Sequence, residues 1–276
     1  MEKDNFSAEQ RVSISQPSET VEYPEFNPNK AKKLRETEAV EMAFWDQKKN
    51  FLENVETEII NGNLPKQLKE REDELWTMKP KVKELEYFSE DSSGADHLTD
   101  YMRNLDTRQI RRRHEVSLPI NILENPEYSH IINHELAHGL EGYRDNGLQG
   151  LNRLFENENN YLGMCLNEGM TEHMAERISG QKINYNMNEE GTTVGYPDYY
   201  KFIKFLSSAG ATKVDMKYFV DAYCLSGDEG DQAIVTLRDK LAEAFPTENG
   251  TNPLDNLAAH NQDQIEYWIS AYTQNI

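Results

Sequence analysis

The sequence predicts an α+β fold that is mostly helical, with a short sheet and a helical C-terminal part. Two patterns carry this prediction. After about residue 31, apolar residues recur at three- and four-residue spacing over most of the chain, which is typical of amphipathic helices. One segment, HEVSLPINIL at 114–123, instead alternates apolar and polar residues, which is typical of a strand. A chain of 276 residues can bury a substantial core, in one large domain or two small ones.

Composition divides the chain into three regions. Residues 1–30 are rich in Ser, Glu, Asn and Pro, which predicts a disordered acidic and polar arm. The spacing of apolar residues at 31–110 predicts an N-terminal helical region, and we expect it to pack on a core domain at 111–276. In the helical region, NGN at 61–63 ends a first helix and Pro65 begins a second. The residues that follow, at 89–97, predict a loop.

Charge and composition restrict the classes of partner. The formal net charge of −20 opposes binding to nucleic acid and to anionic membranes. The basic cluster RQIRRRHE at 108–115 is short and lies among acidic residues, so we expect it to be solvated or paired within the protein. We expect Cys165 and Cys224 to be buried free thiols.

The sequence shows no membrane-spanning segment and no secretory signal. No apolar run approaches the roughly 18–20 residues that span a bilayer, and the N-terminal residues lack an apolar signal region. We therefore expect a soluble protein without membrane insertion, cytoplasmic by default, with signal-independent secretion as the alternative. The sequence sets no oligomeric state.

The alternating segment predicts a strand that contributes to a cleft. Val116, Leu118 and Ile120 lie on one face of it. Pro119 has no N–H to donate, so we expect the strand at a sheet edge or beside a bulge. An edge strand can bind an extended peptide through backbone hydrogen bonds. Val116, Leu118 and Ile120 are therefore the predicted substrate-binding residues.

The segment IINHELAHGLEGY at 131–143 carries a candidate metal site. His134 and His138 are four residues apart on a predicted helix, so both imidazoles project from one face and can bind one cation. Glu135 lies about 100° further round the helix, where its carboxylate reaches a water on that cation without binding the metal. The alternative is an amphipathic helix that carries two histidines by chance. A third protein ligand decides between them.

A second segment, LNEGMTEHMAER at 166–177, supplies candidates for that ligand. Glu168 lies 168 − 138 = 30 residues after the second histidine, which leaves room for a loop and a returning helix. Glu172 lies one turn further, where its carboxylate can hydrogen-bond the free N–H of a ligating histidine. The glycine and third histidine of the metzincin pattern are absent after His138, which excludes that class.

Together the two segments resemble the gluzincin metallopeptidases, the thermolysin-like and aminopeptidase-like group, in which HExxH is followed by a helix with N-E-x-x-x-acid. The resemblance covers roughly residues 114–180, and the compact members similar to lethal factor and the Pro-Pro endopeptidases are nearest. It implies a zincin-like catalytic domain and one zinc ion per chain. It also assigns His134, His138 and Glu168 as zinc ligands, Glu135 as catalytic base and Glu172 as the acid that orients a ligating histidine.

The resemblance further implies a phenol that stabilises the oxyanion of the reaction. Tyr161 lies seven residues before Glu168, where the compact members carry a tyrosine that faces the metal. The alternative is that Tyr161 packs at the start of the helix. Tyr196, Tyr199 and Tyr200 in GYPDYY are rival candidates.

We therefore expect a zinc-dependent peptidase that hydrolyses peptide bonds with a metal-activated water, acting on a peptide or protein substrate. A peptide bound along an edge strand favours an endopeptidase. One alternative is a gluzincin-like scaffold without catalysis, used in binding or regulation, and another is a helical interaction protein without metal. The histidines His97, His114 and His130 show no partner at ligand spacing, and we expect Glu141 to be solvated.

Overall fold

The computed structural model describes residues 28–83, 95–103, 110–144, 148–155, 160–181, 196–246 and 253–273. The predicted arm lies outside the described residues, apart from 28–30. The described residues are mostly helical, with one small sheet, as predicted. The strands are β1 (Lys79–Lys83), β2 (Asp96–Arg103) and β3 (Ile110–Pro119). The helices are α1 (Pro28–Ile60), α2 (Glu72–Trp76), α3 (Tyr128–His138), α4 (Tyr161–Ser179), α5 (Pro197–Ser208), α6 (Met216–Cys224), α7 (Gly227–Ala244), α8 (Pro253–Ala258) and α9 (Gln262–Thr273).

Local sequence signals predict most of the helices. NGN at 61–63 follows the last residue of α1, and Gly180 ends α4 with a φ of 68°, a left-handed conformation that favours glycine. The predicted C-terminal helices correspond to α5, α6, α7 and α9. The six-residue α8 was missed because its Asn- and Pro-rich beginning resembles a loop.

The predicted edge strand is in fact the central strand of the sheet. β3 pairs parallel with β1 and antiparallel with β2, in the order β1-β3-β2. Pro119 is tolerated because it is the last residue of β3, where one missing donor does not interrupt the ladder. The next N–H, that of Ile120, donates to the carbonyl of Lys83 at 3.0 Å.

The central position overturns the prediction that Val116, Leu118 and Ile120 bind substrate. β3 is paired on both sides at residues 115–117, and Leu118 and Pro119 are paired with β1, so the predicted segment is not a free edge to which a peptide could add. Val116 and Leu118 are fully buried in the core, and Ile120 is half-buried in the turn after the strand. β1 lies in the region 31–110 that was predicted to be helical, and β2 begins at the end of the loop predicted at 89–97, so the neighbours that make β3 central were not recognised from the sequence.

The helices that carry the two motifs pack against each other and against the sheet. α3 contacts α4, α1 and β2, and α4 in turn contacts α5 and the short 3₁₀ helix Gly150–Leu154. Gly169 allows α4 and α5 to approach closely, because a Cβ there would lie 2.4 Å from the carbonyl oxygen of Tyr199. This packing fixes the position of α4 beside α3.

One composition-based prediction is confirmed, and a second agrees with the contacts of one residue of the basic cluster, Arg112. Cys165 and Cys224 are free and buried. Arg112, from the basic cluster, is buried and paired within the protein: its Nε lies 3.5 Å from Glu74, and its guanidinium lies 4.3 Å from the centre of the Tyr143 ring. None of the helices that the structure describes has the length and apolar character to cross a bilayer.

A buried lysine ties α1 to the segment that enters the sheet. Lys48 is 2% exposed, and its Nζ donates to the carbonyls of Trp76 at 2.6 Å and Met78 at 2.8 Å. Nζ also lies 4.8 Å above the ring of Trp45. Burial lowers the pKa of Lys48 to about 8. These contacts hold the chain between α2 and β1 on α1.

We expect Lys48→Met to lower the free energy of unfolding by about 1–3 kcal/mol, because two carbonyls lose their donor. Lys49→Met is the matched control, since Lys49 is exposed on the same helix and should change stability by less than about 0.5 kcal/mol. Urea unfolding followed by circular dichroism measures both variants. Equal effects would contradict the role assigned to Lys48.

Candidate metal centre

α3 and α4 bring the three predicted zinc ligands together. His134 and His138 lie one turn apart on α3, and Glu168 lies on α4. The Nε2 atom of His134 is 3.2 Å from Oε2 of Glu168, and Nε2 of His138 is 3.6 Å from the same oxygen. One ligand atom from each residue lies within 4.8 Å of the other two. Residues separated in sequence thus converge on one candidate metal site.

The distances from the two histidine nitrogens to Glu168 fit a zinc-sized cation. Ligands 2.0–2.1 Å from zinc in a tetrahedron lie about 3.3–3.4 Å apart, and the distances of 3.2 and 3.6 Å bracket that value. The side chains of His138 and Glu168 are 14% and 17% exposed, so the centre is reached from solvent on this side. Three protein ligands with access to a fourth position are the pattern of catalytic zinc sites.

Two buried carboxylates face the opposite nitrogens of the histidines. Oε1 of Glu172 lies 3.2 Å from Nδ1 of His134, and Oε1 of Glu141 accepts from Nδ1 of His138 at 2.5 Å. A carboxylate at Nδ1 favours the tautomer that carries its proton there. Nε2 of each ring, the nitrogen that faces Glu168, is then the one available to a metal.

Glu172 is itself held by groups from three directions. It is fully buried, its Oε2 lies 2.8 Å from Nε2 of His130, and its Oε1 accepts the backbone N–H of Tyr196 at 3.0 Å. Glu172 thus lies within ion-pair distance of His134, and its role as the acid that orients this histidine stays a prediction.

His130, His134 and Glu172 also have metal-ligand spacing. All three residues are buried, so an ion bound by them would lack the open position that a substrate needs.

The carboxylates change the protonation of the centre. Burial lowers the pKa of His134, but Glu172 and then Glu168 outweigh burial and raise it to about 10. Burial likewise lowers the pKa of His138, but Glu168 and Glu141 raise it well above its usual value. Negative charge that stabilises protonated imidazoles would also stabilise a divalent cation at the two Nε2 atoms, in place of the protons there, while each Nδ1 keeps its proton.

The predicted base Glu135 is close enough to Tyr196 for its charge to act on that phenol. Glu135 is 6% exposed on α3. Burial raises the pKa of Tyr196, and Glu168, Glu135 and Glu172 raise it further, so the phenol keeps its proton. The ring of Tyr196 lies 5.7 Å from that of His134. A hydrogen-bond donor therefore stands beside the first histidine of the motif.

Tyr161, the predicted oxyanion donor, makes different contacts. Its hydroxyl lies 2.9 Å from that of Tyr199 and donates to Glu266 on α9. Burial and then Glu266 raise the pKa of Tyr161 to about 12. Tyr161 is two turns before Glu168, roughly 10 Å along the axis of α4. Of the candidate tyrosines, Tyr196 is the one whose ring lies beside that of His134, a predicted metal ligand.

Four residues near the centre were missed by sequence reasoning. Glu141 is 4% exposed rather than solvated, because the chain turns inward after α3. His130 lies four residues before His134, a spacing that could have been noticed in the sequence. His97 on β2 stacks at 5.6 Å on the ring of His138, and its Nε2 is 3.0 Å from Nδ1 of His114 on β3. This last pair becomes adjacent through sheet pairing, for which the sequence offers no local signal.

No protein family model, curated protein or solved structure matches the chain. The functional assignment therefore depends on the motif and on the geometry of the centre.

We expect the protein to bind about one zinc ion per chain, and Glu168→Ala to lose it or bind it much more weakly, because a ligand is removed. Elemental mass spectrometry of the purified proteins measures the zinc content. The control is Glu176→Ala, since Glu176 lies on the same helix but bonds Tyr200 instead. Unchanged zinc in Glu168→Ala would contradict the assigned ligand.

Proposed function

We propose that the chain is a zinc-dependent metallopeptidase of the gluzincin type. One observation carries the proposal: each histidine of HELAH has a buried carboxylate at Nδ1 and turns Nε2 towards Glu168. Two histidines that occur on an amphipathic helix by chance would not be expected to have both a carboxylate at Nδ1 and a shared carboxylate at Nε2. Paired orienting carboxylates are typical of histidines that bind metal.

The donor set favours zinc. Two imidazole nitrogens and one carboxylate oxygen with an open fourth position are the ligands of catalytic zinc in peptidases. His134, His138 and Glu168 would hold the ion. When bound, zinc lowers the pKa of a water molecule and polarises the carbonyl of the scissile bond.

The remaining steps belong to residues of the chain itself. Glu135 follows His134 directly, and its carboxylate is the proposed base that takes a proton from the attacking water and passes it to the leaving amine. Tyr196, whose ring lies beside that of His134, is the proposed donor to the oxyanion that develops on the carbonyl. The raised pKa of Tyr196 keeps this donor protonated at neutral pH.

The proposed substrate is an extended peptide. Among the described strands, β2 pairs with β3 along one edge and packs on α3. Its other edge, rather than β3, is therefore the proposed binding site for the substrate backbone. An extended chain can pair with that edge through backbone hydrogen bonds. His97 on β2 lies against His138, so a peptide held there would pass close to the metal ligands. This arrangement favours internal cleavage of peptides.

We expect Glu135→Gln to retain zinc and to lower kcat by about 10²–10⁴-fold, because an amide cannot accept the proton. Mass spectrometry of a peptide library measures cleavage, and elemental analysis measures zinc. Glu127→Gln, just before α3, is the control. Equal cleavage by wild type and Glu135→Gln would contradict the base. Zinc without any cleavage by the wild type would instead indicate a scaffold for binding or regulation.

We expect Tyr196→Phe to lower kcat by about 10²–10³-fold with little change in KM, because the hydroxyl acts on the transition state rather than on bound substrate. Tyr161→Phe is the matched variant, and we expect it to retain kcat. Steady-state kinetics on a peptide that the wild type cleaves compares the two. The reverse result would restore Tyr161 as the oxyanion donor.

A further inference from the structure

Glu141 connects the two helices of the metal centre. It lies three residues after His138, just beyond the end of α3, and is 4% exposed. Its Oε1 accepts from Nδ1 of His138 at 2.5 Å and from Nδ2 of Asn167, on α4, at 3.0 Å. Asn167 directly precedes Glu168. A single carboxylate oxygen therefore binds the second histidine of the motif and the neighbour of the third ligand.

The backbone of Glu141 is held by a buried arginine from the N-terminal part of the chain. Arg71 ends the short 3₁₀ helix Lys66–Arg71, and its guanidinium donates to the carbonyls of Gly139 and Glu141, both at 2.9 Å, and of Cys224 at 3.0 Å. Carbonyls at the end of a helix lack intrahelical donors. Arg71 donates hydrogen bonds to such carbonyls at the ends of both α3 and α6. It thereby fixes the turn of the chain at Glu141.

Asn167 is oriented from its other side. Its Oδ1 accepts the N–H of Leu151 at 2.9 Å, which directs its Nδ2 to Glu141. Gly150 makes room for this amide, because a Cβ there would lie 2.0 Å from Oδ1 of Asn167. With its backbone held by Arg71 and its carboxylate held by Asn167, Glu141 has a fixed orientation towards His138.

We propose that Glu141 is the positioning residue of His138, as Glu172 is that of His134, and that Arg71 and Asn167 hold it in place. The proposal rests on the metal centre of the proposed function. Glu141 is not a ligand of the same ion, because it binds Nδ1 of His138 while Nε2 faces Glu168. It acts through the histidine by fixing its tautomer and the plane of its ring.

The test is the affinity of the purified full chain for zinc, measured by competition with a chelator. We expect Glu141→Leu, which removes the acceptor, to weaken zinc binding by about 10–100-fold. Glu141→Gln keeps an acceptor oxygen and a similar shape, so we expect a loss smaller than that of the leucine variant. Glu124→Leu, exposed before α3, is the control and should bind zinc as the wild type does.

A spectroscopic readout separates positioning from loss of fold. In ¹⁵N spectra of histidine-labelled, zinc-loaded protein, His138 of the wild type should show a protected Nδ1–H. Glu141→Leu should lose that protection, while the signals of His134, held by Glu172, should be unchanged. Glu141→Gln gives the same comparison in a more conservative variant if the leucine variant does not fold.

The outcomes distinguish this proposal from the proposed function. Zinc affinity of a folded Glu141→Leu protein within about twofold of the wild type, with unchanged His138 signals, would overturn the role of Glu141 alone. Failure of the wild type to bind zinc would overturn the metal centre and the role of Glu141 together. Peptide cleavage is not measured, so a zinc-binding protein that cleaves nothing would still support the positioning role.

Discussion

The pairing of buried carboxylates with histidine rings across the contact between α3 and α4 is the interaction on which the centre depends. Charged groups are costly to bury alone, and removing one partner of a buried pair is strongly destabilising. Glu172 is fully buried and Glu168 is largely so. Burial raises the pKa of both carboxyls, but His138 and His134 hold that of Glu168, and His134 and His130 that of Glu172, well below the usual range. The two helices are thus joined by charge as well as by apolar packing.

Support for this contact comes from far along the chain. Arg71, which lies before the sheet, binds the carbonyls beyond α3, and Lys48 of α1 holds the segment that leads into β1. β2 brings His97 to the ring of His138. The N-terminal region is therefore part of the support of the centre rather than an attachment to it, and the sheet combines strands from both predicted regions.

The sequence predicted those parts of the molecule whose signal is local. Helical spacing placed His134 and His138 on one face of a helix, and the resemblance to the gluzincins indicated Glu168 and Glu172 on a following helix. β1, with the sequence KPKVK, is only five residues long and consists mostly of lysine and proline, which are depleted in strands. It was not recognised from the sequence, so β3 was wrongly placed at an edge.

The contacts of the tyrosines and of Glu141 could not be predicted from local sequence patterns either. Tyr196 reaches His134 through the packing of α5 on α4, and Glu141 is buried by a turn whose partner, Arg71, is 70 residues away. Both depend on tertiary structure, which helical spacing does not encode. The general location of the centre and the nearby Glu172 could be read from the sequence, but the contacts of Tyr196 and Glu141 with the two histidines could not.

The way the centre is assembled links metal binding to folding. Its ligands come from two helices, and its supporting residues extend from Arg71 to Glu172, so the unfolded chain has no preformed site. An ion that binds the native chain alone adds RT ln(1 + [L]/Kd) to the free energy of unfolding, or about 1.4 kcal/mol for each tenfold excess over Kd. By this thermodynamic linkage, the zinc supply of the compartment would set the resistance of the chain to unfolding and to degradation.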